Sequence, residues 1–455
     1  MVAAVKKHAA FLSLIFFVGL FVRAAVFYGY LSQDANYWQV DSAGYHTIAS
    51  GIAAGKGIAS PAGIPNFYRV PGYPLYLAVW YKVFGNNPIP ALWGQLVLGA
   101  LIPLLIFFLA LALFPARPRL AMAASAYSAV HLGLVLYSGF MMTETLFIIF
   151  LLGFLILFFQ AGDNPRGLAS AGALLGIASL IRPIGHYLMP ICLVILLLRK
   201  FAWSIKVRNA LLLFIAWLIP VSMWLARNYL LLGHIFFHTL PGGHFLHLSA
   251  SRVVMHAEDM TYQQARMRVA SEARRAIRNA QRTQHRGLSE IECCYELEKL
   301  AHQHFVQHPW ITLKLWATDM FRTAFSLYSA ELLFLDSGRK EMDYFAKDRG
   351  LWDMISRYIM PPTDSMPLRA IIMLEIVLYL LLLLGLCRAL WGLFANGFGK
   401  DLAIWLTAGA FIAFFIVIAL AGGYARMRLP VEPLIIILGL SGYVVEKRSR
   451  ARAKK

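Results

Sequence analysis

The chain has 455 residues, of which 59% are hydrophobic and 14% charged, with a mean hydropathy of +0.63. Soluble proteins carry about a quarter charged residues, so these values exclude an ordinary soluble domain. The net charge of +19 does not imply a nucleic-acid partner. Much of it sits in short loops between apolar runs and in the tail EKRSRARAKK, where the positive-inside rule expects it.

Repeated apolar runs close to the ~20 residues that cross a hydrocarbon core mark a polytopic membrane protein. Backbone in lipid must form helices or a closed barrel, and continuous apolar runs without strict alternation exclude the barrel. The expected fold class is therefore all-α. Cys192 and Cys387 lie in apolar runs, and Cys293 and Cys294 are adjacent, so the four cysteines make no disulfide framework.

The N-terminal stretch KKHAAFLSLIFFVGLFVRAAVFYGYL has the charged start and apolar centre of a signal peptide. It lacks a small-residue cleavage site and is expected to stay as the first span. Further spans are expected near 90–114, 120–140, 144–160, 167–182, 186–199, 208–231, 367–391, 402–422 and 429–446, about ten in all. Lys6 and Lys7 put the N-terminus inside, and an even count puts the basic tail inside as well. Three regions follow. Residues 1–232 form a transmembrane module with an outer loop at 32–88. Residues 233–366 form an outer helical and interfacial region. Residues 367–455 hold the last spans and the cytoplasmic tail.

Two segments resist a simple span. Residues 32–88 contain NFYRVPGYPLYLAVWYKVFG, expected as an interfacial helix with Tyr73, Tyr76, Trp80 and Tyr81 as interfacial aromatics. HPWITLKLWATDMFRTAFSL carries Lys314, Asp319 and Arg322 and is placed in the outer interface or as a re-entrant helix. Residues 252–286 hold eight arginines, which suit either a solvated basic helix or an anionic lipid or acceptor. The chain contains no Walker loop, dinucleotide fingerprint, HExxH or GxSxG context.

Ionisable residues beside membrane spans are functional candidates by default. On this topology Asp41, Arg69, Glu144, Arg182, Arg227, Arg426 and Arg428 all fall on the outer side. Guanidinium binds phosphate through a bidentate fork, so the arginines suit an anionic headgroup. Asp41 stands before a short predicted helix, where it serves either as an N-cap or as a carboxylate able to take a proton from an acceptor hydroxyl. His46 is an alternative base.

The segments DSAGYHTIASGIAAGKG, YRVPGYPLYLAVWYKVFG, YSGFMMTETLFIIF, GALLGIASLIRPIGHYLMP, WLARNYLLLGHIFF and GGYARMRLPVEPLIIILG occur in that order. Together they resemble the bacterial branch of the membrane-embedded GT-C glycosyltransferases. That group is related to the protein O-mannosyltransferases and to the aminoarabinose and galacturonic acid transferases of lipopolysaccharide. The resemblance implies transfer of a sugar from a polyprenyl-phosphate (undecaprenyl-phosphate-type) donor to an acceptor hydroxyl on a lipid, glycan or protein, usually with inversion. It places the enzyme in the bacterial inner membrane with its site facing the periplasm, as a maker of cell-envelope glycans such as lipopolysaccharide. Asp41 would be the catalytic base. Arg69 and Arg182, with Arg227, Arg426 and Arg428, would hold the donor phosphate. Tyr45, His46, Tyr68, Glu144 and His186 would line the substrate pocket. Membrane lipids are the other expected partners, and nucleic acid is not.

Several relatives carry a second acidic residue directly after the aspartate, where this chain has Ser42. No metal ligand is expected with security, although a divalent metal at Glu144 stays open. A transporter or flippase, or an O-antigen polymerase or ligase, handling lipid-linked sugars is the alternative. The sugar, the acceptor and the oligomeric state are not readable from the sequence.

Overall fold

The computed structural model describes residues 2–336, 363–395, 402–418 and 422–444; Lys400 and the basic tail lie outside the described residues. No β-strand occurs among the described residues. The first helix, α1 (Val2–Val26), runs on through a π-helical turn to Leu31. The first loop carries α2 (Ser42–Ala53) and α3 (Gly72–Phe84). The bundle continues with α4 (Pro88–Leu113), α5 (Pro118–Val130), α6 (Leu132–Gly139), α7 (Glu144–Gln160), α8 (Pro165–Ile181), α9 (Leu188–Leu198) and α10 (Trp203–Leu232). Asn87 and Asn164 start α4 and α8 by accepting from the backbone N–H groups of Ile89 and Arg166, each with a proline in the first turn.

The insert that follows holds α11 (Leu240–His244), α12 (Ser251–Ala257), α13 (Tyr262–Gln284), α14 (Glu290–Gln307), α15 (Pro309–Phe325) and α16 (Ser329–Asp336). Capping boxes Thr261–Gln264 and Ser289–Glu292 start α13 and α14. The last described elements are α17 (Met366–Ala395), α18 (Leu402–Val417), the short turn α19 (Ala425–Arg428) and α20 (Glu432–Ser441).

Among the described residues, four helices are long and apolar enough to cross a membrane: Val5–Leu31, Pro88–Leu113, Trp203–Leu232 and Met366–Ala395. The pair α5 and α6, bent by 49°, makes a fifth when it is counted as one broken span rather than as a re-entrant loop. The other expected spans have helical counterparts that are shorter. Helix α7 has 17 residues, about 25 Å at 1.5 Å per residue, less than a hydrocarbon core. It lies inside the bundle, with Phe147, Leu151, Phe154 and Phe158 all buried, so neighbouring helices rather than lipid cover its ends. Helix α8 packs closely on α10 because Gly172 and Gly176 face the backbone carbonyls of Leu213 and Trp217, the small-residue contact common between membrane helices.

Two expectations are corrected. Tyr73 and Tyr81 of α3 are buried rather than interfacial, because α3 packs on α2 and α4. The Tyr73 hydroxyl donates to Gln95, whose amide donates in turn to the carbonyls of Ser138 and Phe140 at 2.9 and 2.7 Å. The arginine-rich segment is not one uniform face. Arg252 is buried and paired with Asp319 at 2.7 Å. Arg268 pairs with Glu258 and Glu272, and Arg286 with Glu292, while Arg274, Arg278 and Arg282 are exposed on α13. Helix α15 is not among the helices long and apolar enough to span.

Candidate active site

The first loop is pinned to the bundle by a short ladder. Met141 N–H donates to the Tyr37 carbonyl at 2.9 Å, the Ser42 hydroxyl donates to the Met141 carbonyl at 2.9 Å, and Gln39 N–H donates to that same hydroxyl. The ladder carries Asp41 to the mouth of the bundle, beside Glu144 at the start of α7. Asp41 holds the N-cap position of α2, yet its side chain makes no capping hydrogen bond. The carboxylate is used elsewhere.

Arg69 donates to Asp41 Oδ1 at 2.7 Å, and Arg426 donates to Asp41 Oδ2 at 3.0 Å. Arg426 also donates through Nε to Glu144 Oε1 and through Nη1 to the Tyr424 hydroxyl. Arg182 donates to Glu144 Oε1 at 2.9 Å. The result is one continuous chain, Arg69–Asp41–Arg426–Glu144–Arg182, drawn from the first loop, α7, the end of α8 and the turn α19. Tyr45 accepts from Arg69 at 3.0 Å, and the Arg69 guanidinium lies over the Tyr45 and Tyr68 rings at 4.5 and 5.3 Å.

Burial pushes the Asp41 carboxyl up, but the guanidiniums of Arg426 and Arg69 push down harder, and the net holds it well below the usual carboxylate range. Its side chain is 29% exposed, so the charged group can be reached from outside, whereas Glu144 is fully buried. Near the cluster, burial lowers the His244 imidazole below its ordinary value.

The remaining expected site residues are placed differently. Arg227 donates to the carbonyls of Asn66 and Ile58 at 2.8 and 3.0 Å and so braces the first loop. Arg428 is buried against Glu432 and the carbonyls of Thr323, Ala324 and Ser326. Neither guanidinium joins the Asp41 cluster, because each is consumed by fixed protein acceptors. His46 shares a hydrogen bond of 2.8 Å with the Tyr81 hydroxyl and lies against Trp38. His186 packs its ring on Tyr187 and Phe237.

Beside the cluster lies a cavity of about 420 Å³, walled by Arg426, Tyr424, Trp38 and Glu331 among others. Tyr424 was within reach of sequence reasoning, being two residues from Arg426 in GGYARMR; Glu331 carries no motif. Among the described residues no three His, Cys, Asp or Glu side chains converge as a metal cage. Arg426 stands between Asp41 and Glu144, so the two carboxylates present do not form a donor set suited to a divalent cation.

Residues 68–224 match the family model described as dolichyl-phosphate-mannose-protein mannosyltransferase. No protein of curated function matches the chain in sequence. Among solved structures, the chain is similar to the archaeal oligosaccharyltransferase AglB from Archaeoglobus fulgidus, in complex with an inhibitory peptide and a dolichol-phosphate. The TM-score is 0.53 at 12% identity, over 96% of this chain and 50% of that one. It also matches ArnT from Cupriavidus metallidurans bound to undecaprenyl phosphate, with a TM-score of 0.39 at 12% identity, over 97% of this chain and 78% of that one. The chain thus spans about half the length of the archaeal enzyme.

Proposed function

We propose that the chain is an integral membrane glycosyltransferase of the GT-C type, a reading supported by the family model over residues 68–224 and by the likeness of fold to the archaeal enzyme. We propose that it moves a sugar from a polyprenyl-phosphate donor to an acceptor hydroxyl at the outer face of a bacterial inner membrane, with inversion. The acceptor is a lipid, glycan or protein of the envelope.

The observation that carries this reading is the charge of the linked cluster. Three guanidiniums, Arg69, Arg182 and Arg426, face two carboxylates, Asp41 and Glu144. One positive charge is left over, which matches the single negative charge of a phosphodiester donor. In the proposed step the acceptor O–H gives its proton to Asp41, and the acceptor oxygen bonds the anomeric carbon on the face opposite the phosphate. The C–O bond to phosphate breaks, and its electron pair stays on the phosphate oxygen. Protonation of Asp41 then leaves the cluster with two positive charges, opposite a phosphomonoester that carries up to two negative ones. Preorganised guanidiniums aimed at the charge that develops on the leaving group lower the barrier.

Asp41 is a weak base while two guanidiniums hold it. A donor phosphate that takes up Arg69 and Arg426 weakens both ion pairs and raises the affinity of Asp41 for a proton as the complex forms. Glu144 holds Arg426 and Arg182 in place. Arg227 and Arg428 act through the backbone they fix rather than on the phosphate.

The test incubates purified protein with a radiolabelled polyprenyl-phosphate sugar and candidate acceptors, comparing wild type with Asp41→Asn. Transfer by the wild type and its loss in the variant support the reading. Equal transfer by both removes Asp41 as the base. Movement of the donor across vesicles without transfer gives the flippase instead.

A further inference from the structure

Helix α17 is one of the four helices long and apolar enough to span, yet its run IIMLEIVLYLLLLLG carries a carboxylate, Glu375. A charge placed within a spanning helix is costly and points to a role. The structure shows where this one is used. Glu375 Oε1 accepts from Tyr328 N–H at 2.7 Å, and Oε2 accepts from Ser329 N–H at 2.8 Å. Both donors stand at the start of α16, where a helix leaves its first N–H groups without intrahelical partners. A carboxylate suits them because a helix N-terminus carries partial positive charge. The cap therefore comes from another helix, 47 and 46 residues further along the chain.

Tyr379, one turn after Glu375, donates its hydroxyl to the Ala324 carbonyl near the end of α15. Residues four apart share a helix face, so α17 presents one polar ridge to the junction of α15 and α16. Arg428 takes the neighbouring carbonyls of Thr323 and Ser326 at 2.8 and 3.2 Å. Helix α16 itself has eight residues, too few to be stable without contacts of this kind. Its residues Glu331, Phe334 and Leu335 wall the cavity that Arg426 and Tyr424 also wall. Their spacing of i, i+3 and i+4 puts them on one face. The cap at the start of α16 thus sets the depth and rotation of the face that stands across from Arg426.

We infer that Glu375 is a positioning residue of the transfer reaction. From within the spanning helix it fixes the start of α16, and through α16 it sets the width of the cavity beside Arg426. It acts on the wall and not on a substrate. A substrate that enters the cavity is held against the Asp41 cluster only while this wall is in place, and a misplacement of about 1 Å at a site is costly in binding and rate. The inference rests on the donor reading proposed above.

The test compares Glu375→Gln with the wild type in the transfer assay, varying donor and acceptor in turn. The amide keeps the length of the side chain but offers one acceptor oxygen where two are used. The KM of the substrate that enters the cavity should rise about tenfold while kcat stays within about twofold, because the Asp41 cluster keeps its own partners. The substrate whose KM moves is the occupant of the cavity. Leu335→Ala, which trims the wall directly, should raise the same KM. In that background Glu375→Gln should add less than about threefold, since residues that act through one element are not additive. A melting curve for each variant establishes that it is folded. Should the glutamine variant not fold, Glu375→Asp keeps two acceptor oxygens on a shorter stem and should raise the same KM by less. A fall in kcat and melting temperature with both KM values unchanged overturns the inference, as does full additivity of the two substitutions; either result leaves the donor reading intact. Failure of the wild type to transfer from, or bind, any polyprenyl-phosphate donor overturns the donor reading, and this inference falls with it.

Discussion

At the scale of single residues, Asp41 and Arg426 carry the most specific consequences. Asp41 is held below its ordinary range by two guanidiniums, so its ion pairs support the folded state above the unfolded carboxyl value near 3.8. They are lost only as pH falls through the still lower folded value. The kcat/KM profile, which reports the donor-free enzyme, should show no acid limb from this group above about pH 4. A limb near pH 6 would transfer the role of base to a histidine such as His46 or His244. Arg426 spreads three nitrogens over Glu144, Tyr424 and Asp41, a fork that a lysine ammonium does not reproduce. Arg426→Lys should lower kcat/KM on the order of a hundredfold, the typical result of removing one donor from a preorganised anion site. The melting temperature should change far less.

At the scale of elements, the turn α19 and helix α20 act as one clamp. Arg428 donates to Glu432 at 2.6 Å and to carbonyls at the end of α15, and the Tyr328 hydroxyl donates to Glu432 at 2.9 Å. Removing one member of a buried pair strands the other charge, so Arg428→Met should cost about 3–5 kcal/mol, whereas Arg428→Met with Glu432→Leu should recover much of it. Thermal melting in detergent reads both. At Gly423 an added methyl would overlap the Asp319 carbonyl. Gly423→Ala should therefore cut turnover by displacing Arg426, more than it lowers the melting temperature. Much at this scale was legible in advance. The apolar runs located the bundle helices, and the place of Asp41 after the first run marked it out. Its choice of partner was not legible. Capping and ion pairing compete for one carboxylate, and of the two guanidiniums that win it, Arg426 is 385 residues away. The same limit hid Glu331, whose meaning comes from Tyr137 across the fold. It also explains why Arg227 and Arg428 look like phosphate ligands in the chain but serve the backbone in the structure.

At the scale of the whole molecule, the buried pair Arg252–Asp319 joins α12 to α15 within the insert. Asp319 also accepts from Gly422 N–H at 3.3 Å, next to the turn that carries Arg426. Asp319→Ala should lower the melting temperature of the solubilised enzyme and reduce transfer together, although Asp319 is not part of the Asp41 cluster. Loss of stability without loss of transfer would show that the insert does not support the site. The order in which the site is completed has a consequence for synthesis. Asp41, Arg69, Glu144 and Arg182 leave the ribosome well before Arg426, which comes 244 residues after Arg182. A nascent chain halted before that turn has its base gripped by Arg69 alone and two charges of each sign at the mouth. It therefore lacks the surplus charge proposed to draw in the donor. On that proposal, engagement of a lipid-linked sugar waits for the turn that carries Arg426.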